Sequence, residues 1–333
     1  MTSLTPTSVE SVADDSSPVM LPASFAQELL WLMHGAAPAS TAYNVPRTRR
    51  LVGRLDAEAL RQAFGALVAR HEILRTTYAS HEEHAVQVVH EATPFAITSV
   101  DLRSLDATMR EAEARRLVTE QTQRPFDLSR DPLLRVMLIR LGDDEHLLHV
   151  DSHHIAFDGW SREILFRDLA ALYAERTGGP PADLPELPIQ YADYAIWERE
   201  HLSGERLERL LGYWRAQLGD ADFVLQLPTD YPRPAVPGSA SVSERITIGA
   251  DELAAAKALG VAHDATLYMV LLAAYATVLH RYTGQPDVLV GSPSAGRSRA
   301  ETEHLIGYFA NTMVQRARFA SDSTFGELLN QLR

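Results

Sequence analysis

Two apolar runs, residues 134–141 and 145–152, flank Gly142-Asp143-Asp144 near the middle of the chain. Short apolar runs joined by a Gly/Asp turn read as paired strands. This hairpin commits the centre of the chain to a sheet, with helix signals on both sides. Ser24 is an N-cap for a helix over 25–34, with Gly35 just beyond. Asp56 caps a helix to Arg70 that sets Leu60, Phe64 and Leu67 on one face. Residues 42–55, 73–78 and 85–90 read as extended, and 106–123 as a charged amphipathic helix. A helix over 161–176 follows the hairpin. No internal repeat is visible. This mixed order predicts α/β (α+β) architecture.

The chain has 333 residues, a natural length for two domains. The clearest border is Thr177-Gly178-Gly179-Pro180-Pro181, extending to Pro188. The reading is therefore a flexible leader over 1–20, an N-terminal lobe over 21–178, a Pro/Gly linker over 179–188 and a C-terminal lobe over 189–333. The second lobe is expected to hold helices at 191–200, 205–218 and 251–259, and a longer apolar helix capped by Asp264 and ending before Gly284. A proline-rich crossing covers 228–237. Strands are expected at 241–248, 287–291 and 313–319, and a last helix starts at Phe325.

The formal net charge of -13 argues against non-specific nucleic-acid binding, which needs Lys and Arg to displace counterions from phosphate. The absence of cysteine excludes disulfides, thiolate zinc sites and a cysteine nucleophile, and permits a cytoplasmic setting. The N-terminus lacks the basic start and apolar run of a signal peptide. The apolar stretch 267–279 is too short for the ~20 residues that span a bilayer.

The chemistry is expected in His153-His154-Ile155-Ala156-Phe157-Asp158-Gly159. If the strand runs on to residue 154, side chains alternate faces. Leu148, Val150, Ser152 and His154 then share one face, and His149, Asp151 and His153 the other. At most one histidine of the pair reaches a given substrate channel. A histidine beside a Gly-containing turn suits proton handling, since its ordinary pKa is ~6.5. Glycine there permits close backbone approach or unusual φ. The residues alone leave other readings open. The pair could be structural, and Asp158 could serve only to hold its loop. Opposite-facing neighbours chelate one metal ion poorly and no HExxH spacing occurs. No GxSxG elbow supports a serine hydrolase.

The segment HHIAFDGWS resembles the HHxxxDG active-site motif of condensation domains of nonribosomal peptide synthetases, a motif shared with chloramphenicol acetyltransferase-like acyltransferases. Further segments resemble other condensation-domain motifs in order: SFAQELLW (24–31), RHEILRTTY (70–78), YADYAIW (191–197) and IGYFANTMVQR (306–316). LPTDYPRP (227–234) and GSPSAGR (291–297) are similar to the family as well. The likeness covers nearly the whole chain after residue 20. Both histidines are kept, unlike the DxxxxD pattern of cyclization domains. The order Asp158-Gly159-Trp160-Ser161 departs from the DGVSW of epimerization domains.

The resemblance implies two chloramphenicol-acetyltransferase-like lobes in a V-shaped pseudo-dimer with a tunnel between them. It implies condensation: the amine of an aminoacyl thioester on one peptidyl carrier protein attacks a donor acyl or peptidyl thioester on another. His154 matches the histidine that accepts or positions the amine proton. His153 would be structural. Asp158 would brace the loop by an ion pair with Arg297. Gly159 would keep the tunnel open beside the thioester. Arg70, His71 and Arg75 fall in a motif read as mostly structural, and Trp160, Ser161 and Asn311 as supporting. No cofactor or metal is implied for the domain itself; phosphopantetheine on the carriers holds the substrates. The expected partners are donor and acceptor carriers and an adjacent adenylation domain, with no nucleic acid and no membrane. Family chains continue past this point, so the second lobe is expected to be incomplete. Two rivals share the fold: a stand-alone CoA-dependent acyltransferase and a non-catalytic recruitment platform.

Overall fold

The computed structural model describes residues 19–234, 242 and 244–333. The chain divides into two compact units. Among the described residues, the first holds 19–204 and 295–311, and the second 205–234, 242, 244–294 and 312–333.

In the first unit, β1 (Val19–Pro22), β4 (His84–Val89) and β3 (Thr76–His81) form a three-stranded antiparallel sheet in the order β1-β4-β3. A four-stranded sheet has the order β2-β7-β6-β5, from β2 (Asn44–Val52), β7 (Glu145–His153), β6 (Leu134–Arg140) and β5 (Thr98–Asp101). The expected hairpin is β6-β7, in register from Leu134↔Ser152 to Arg140↔His146. β5 adds to it in parallel.

Helices α1 (Phe25–Ala36) and α2 (Ala57–Arg70) start at the predicted caps. The Ser24 hydroxyl accepts from the Gln27 amide in a full capping box, and Asp56 accepts from Glu58 and Ala59. Ala59, Leu60, Ala63, Phe64, Leu67 and Val68 make the buried face of α2. That face and α4 (Gly159–Arg176) cover one side of the four-stranded sheet, where Leu148 and Val150 join the main core. α3 (Ala107–Thr122) packs on the other side, over Met137, Ile139 and Leu141. α5 (Tyr191–His201) completes the unit and contacts β1.

The second unit contains α6 (Gly204–Leu218), α7 (Ala250–Ala262), α8 (Leu267–Thr283), a two-stranded sheet of β8 (Asp287–Ser294) and β9 (Asn311–Arg318), and α9 (Phe325–Leu332). Its core gathers Val270, Ala273, Ala276 and Leu279 from α8 with Val288, Ala317, Leu328 and Leu329. Gly284 ends α8 in the left-handed conformation at φ 70°.

Several expectations need correction. The cap of α8 is Thr266, not Asp264; its hydroxyl accepts from the Met269 amide. Asp264 instead holds a left-handed turn at φ 50°. The strand expected from residue 73 begins at Thr76, because Glu72–Arg75 wind into a short 3-10 turn. Residues 244–249 form no strand, and the remainder of that expected strand, together with 235–237 of the proline-rich crossing, falls partly outside the described residues. β1 takes Val19 and Met20 from the expected leader, whose first 18 residues lie outside the described ones. The segment 179–188 runs inside the first unit, where Ala182, Leu184 and Leu187 pack on the main core. No single described helix is long and apolar enough to cross a membrane. The bent pair α7-α8 passes that test only jointly, across a 105° bend.

Candidate active site

β7 stops at His153, and His154–Ala156 turn into a single 3-10 turn. The alternation expected to run through His154 therefore ends one residue earlier. The two histidines are placed by different means. His153 is buried; its Nδ1 accepts from the Ile155 amide at 3.1 Å and caps the turn. Its ring lies among His34, Tyr43 and Phe126, with centroids 5.8–6.2 Å apart. Burial, with His34 and His154 nearby, pushes its pKa down to about 3. His153 is thus a neutral acceptor at physiological pH.

His154 is half-buried. Its amide donates to the Tyr43 carbonyl at 2.8 Å. Its ring meets Tyr308 edge-to-face, with centroids 4.9 Å apart and planes at 69°. Nδ1 of His154 is buried and has no hydrogen-bond partner among the described residues.

Asp158 caps α4 and is 2% exposed. It accepts from the Ser161 amide (2.8 Å), the Ser161 hydroxyl (2.7 Å), the Phe309 amide (3.2 Å) and Arg297 Nη2 (3.2 and 3.3 Å). Arg297, 139 positions away in sequence, is equally buried and also donates to Ser161 Oγ at 3.1 Å and to the Leu305 carbonyl at 2.8 Å. Its guanidinium lies over the Phe309 ring at 4.1 Å. Burial pushes the Arg297 pKa down, against the pull of Asp158. A buried ion pair survives best when its remaining donors and acceptors are filled; those of this carboxylate are, whereas Arg297 Nε meets no partner among the described residues.

Gly159 opens α4 with an ordinary φ, so the unusual conformation allowed for it is not used. A Cβ built there would meet nothing within 4 Å. Trp160 is half exposed, and its indole N–H donates to the Glu303 carbonyl at 3.0 Å. Ser161 is fully buried; its Oγ accepts from the Gly307 amide at 3.0 Å.

The segment 305–309 is fastened across this loop. Asp158 N–H donates to the Gly307 carbonyl at 3.1 Å, and Tyr191 Oη donates to the Tyr308 carbonyl at 2.6 Å. Gly307 is required: a Cβ there would overlap the Tyr191 ring. His71 is buried and bridges the segment to α4. Its Nδ1 accepts from the Ile306 amide at 3.4 Å, and its Nε2 lies 3.3 Å from Asp168 of α4. Arg70 Nε also reaches Asp168, at 3.3 Å. Arg75 belongs elsewhere, bonded to Glu72 and to the His90 carbonyl. Asn311 is exposed at the start of β9.

Sequence reasoning missed Tyr308, Tyr43, Tyr191 and Asp168. Tyr308 and Tyr191 stand inside segments already singled out, 306–316 and 191–197, but a ring's role there depends on partners more than a hundred positions away. Gln27 was missed too. It is fully buried, and its amide donates to Tyr78 Oη at 2.6 Å and to the Ile155 carbonyl at 3.3 Å, under the histidine turn. A cavity of about 540 Å³ opens between residues 68–77, 90–98 and 121–136, and none of the histidine-loop residues lines it.

The family model described as Condensation domain matches residues 19–333. A linear gramicidin synthase polypeptide of Brevibacillus parabrevis is 45% identical over 313 residues, which is 94% of this chain and 4% of that protein. Among solved structures, the X-domain from teicoplanin biosynthesis superposes with a TM-score of 0.84 at 32% identity, over 97% of this chain and 70% of that one. The first condensation domain of the calcium-dependent antibiotic synthetase superposes with a TM-score of 0.74 at 24% identity, over 95% and 73%, and shows the shared chloramphenicol-acetyltransferase-like fold. With its two histidines on a short turn and Asp158 locked to Arg297, this chain belongs to the condensation domain family.

Proposed function

We propose that the chain forms peptide bonds. The amine of an aminoacyl thioester on an acceptor carrier attacks the thioester carbonyl of a donor acyl or peptidyl group on a second carrier. A C–N bond forms, the C–S bond breaks, the donor's phosphopantetheine leaves as thiol, and the amine gives up one proton. The observation that carries this reading is the half-buried His154 ring, mounted on a rigid turn at the end of β7. The match to a gramicidin synthase supports it.

His154 handles the attacking amine. A catalytic-triad histidine gives its second N–H to a carboxylate, which stabilises the imidazolium. Nδ1 of His154 meets no acceptor among the described residues. The ring is therefore better suited to hold the amine by one hydrogen bond than to store its proton. Holding two tethered reactants together supplies much of the rate, since effective molarities reach ~10⁵ M and above. His153 shapes the turn, and Asp158 with Arg297 and Ser161 fixes the start of α4. Gly159 leaves room beside the reacting carbonyl. Arg70 and His71 secure the neighbouring segment. The domain holds no cofactor of its own in this reading. Its partners are the two carriers and an adjacent adenylation domain, in the cytoplasm.

His154→Ala is expected to lower condensation about 10²-fold or more without abolishing it. Mass spectrometry of the acceptor's phosphopantetheine arm measures this, and an unchanged rate would remove His154 from the reaction. A second reading has its own support. The X-domain resembled here has also been solved in a complex with OxyB, so this fold can bind a partner protein, as a recruitment platform would. Failure to make amide with any loaded donor, together with stable binding of a partner enzyme, would favour it.

A further inference from the structure

We infer that Tyr308 is the positioning residue for His154, and that it sets the imidazole's orientation by ring contact in place of a hydrogen bond. The inference rests on the condensation reading above. Three observations lead to it. The buried Nδ1 of His154 has no partner among the described residues, so the usual device of an oriented N–H is missing there. The ring does have a partner of another kind, the Tyr308 ring at 4.9 Å and 69°. That geometry is the favoured edge-to-face arrangement of aromatic pairs.

The third observation is how firmly Tyr308 is held. Gly307 before it donates to Ser161 Oγ and accepts from the Asp158 amide. The Tyr308 carbonyl accepts from Tyr191 Oη at 2.6 Å, and Tyr191 Oη in turn lies 2.9 Å from Ser24 Oγ. Phe309 after it donates to Asp158 at 3.2 Å. Three consecutive residues are thus tied to α4 and α5 by backbone groups, so the Tyr308 ring projects from a fixed base. On the other side, the His154 backbone is fixed by the Tyr43 carbonyl and by the Phe157 amide, which donates to the His154 carbonyl at 3.1 Å. Two rings on two rigid mounts leave the imidazole little freedom except rotation about its own side-chain bonds. The tyrosine ring limits that rotation. The Asp158–Arg297 pair then acts on His154 indirectly, by holding the segment that carries Tyr308.

The test compares Tyr308→Phe with Tyr308→Leu in the 333-residue chain, with His154→Ala beside them. Two quantities are read: the condensation rate with loaded carriers, and the NMR shift of the His154 ring proton in histidine-labelled protein, assigned by its loss in His154→Ala. The Leu variant should lose the ring-current displacement of that proton. It should also lower kcat about two- to tenfold with KM for the acceptor carrier unchanged. The Phe variant should restore both. A Leu variant with the wild-type ring shift overturns the inference, and so does a Phe variant as impaired as Leu, since the hydroxyl would then be the active part. If His154→Ala itself leaves the rate unchanged, the condensation reading fails, while loss of the ring shift in the Leu variant and its return in the Phe variant would still establish the ring contact, and an unmoved shift would overturn it.

Discussion

Asp158 draws four donor groups to one buried carboxylate, and Arg297 brings the positive charge among them. Removing one partner of a buried pair leaves the other charge uncompensated, at a cost of about 3–5 kcal/mol. Arg297→Met should lower stability by that order in chemical denaturation. A variant as stable as the parent would mean that the amide and hydroxyl donors suffice. Glycines near this pair behave in opposite ways. Gly159→Ala adds a methyl to open space at the first turn of α4, so it should leave stability unchanged, whereas Gly159→Leu should slow condensation by filling that space. Gly307→Ala drives a methyl into the Tyr191 ring and should destabilise the fold; a melting temperature equal to the parent's would show that the segment can shift aside.

At the scale of the element, β7 places Asp151 fully buried, with neither carboxylate oxygen bonded to a described residue. Burial, against the opposing pull of Arg135, pushes its pKa up to about 7. A carboxyl whose folded pKa is raised stabilises the fold below its unfolded value of ~3.9, and that contribution is lost as pH rises through the folded value. His153, two residues on, has the opposite sign. Its folded pKa is lowered, so its contribution is present above ~6.5 and lost as pH falls. Asp151→Asn should therefore gain on the parent between about pH 4 and 7, by up to about 4 kcal/mol at neutral pH. Urea unfolding at pH 4.5 and 7.5 measures this, and an advantage independent of pH would assign the effect to packing. The elements themselves were largely legible. The α1 and α2 caps and the β6-β7 turn are local chemistry, in which the signal and the structure occupy the same few residues. β1 and β5 were missed because four residues give no readable period, and their partners lie far along the chain. The cap of α8 was misplaced because Asp264 and Thr266 are both good capping residues, and the backbone chose the hydroxyl. At the site, the motif marked His153, His154, Asp158 and Gly159. The rings and carboxylates that hold them, such as Tyr308, Tyr191 and Asp168, meet only after folding.

On the scale of the whole molecule, the groups that fix the histidine turn belong to the first unit, although residues 295–311 return to it only after the chain has built most of the second. Closing so long a loop brings Arg297 to Asp158 at an entropic cost that grows only slowly with loop length. The chain spans 4% of the gramicidin synthase polypeptide it matches. The proposed reaction joins two carrier-bound substrates through His154. The direct measurement is a condensation assay with separately loaded donor and acceptor carriers, read by mass spectrometry, on this chain and on the longest polypeptide that naturally contains it, each beside its His154→Ala form. A new amide is expected on the acceptor arm, reduced about 10²-fold or more in the variant. Equal product with and without His154, or none from any donor tried, would contradict it.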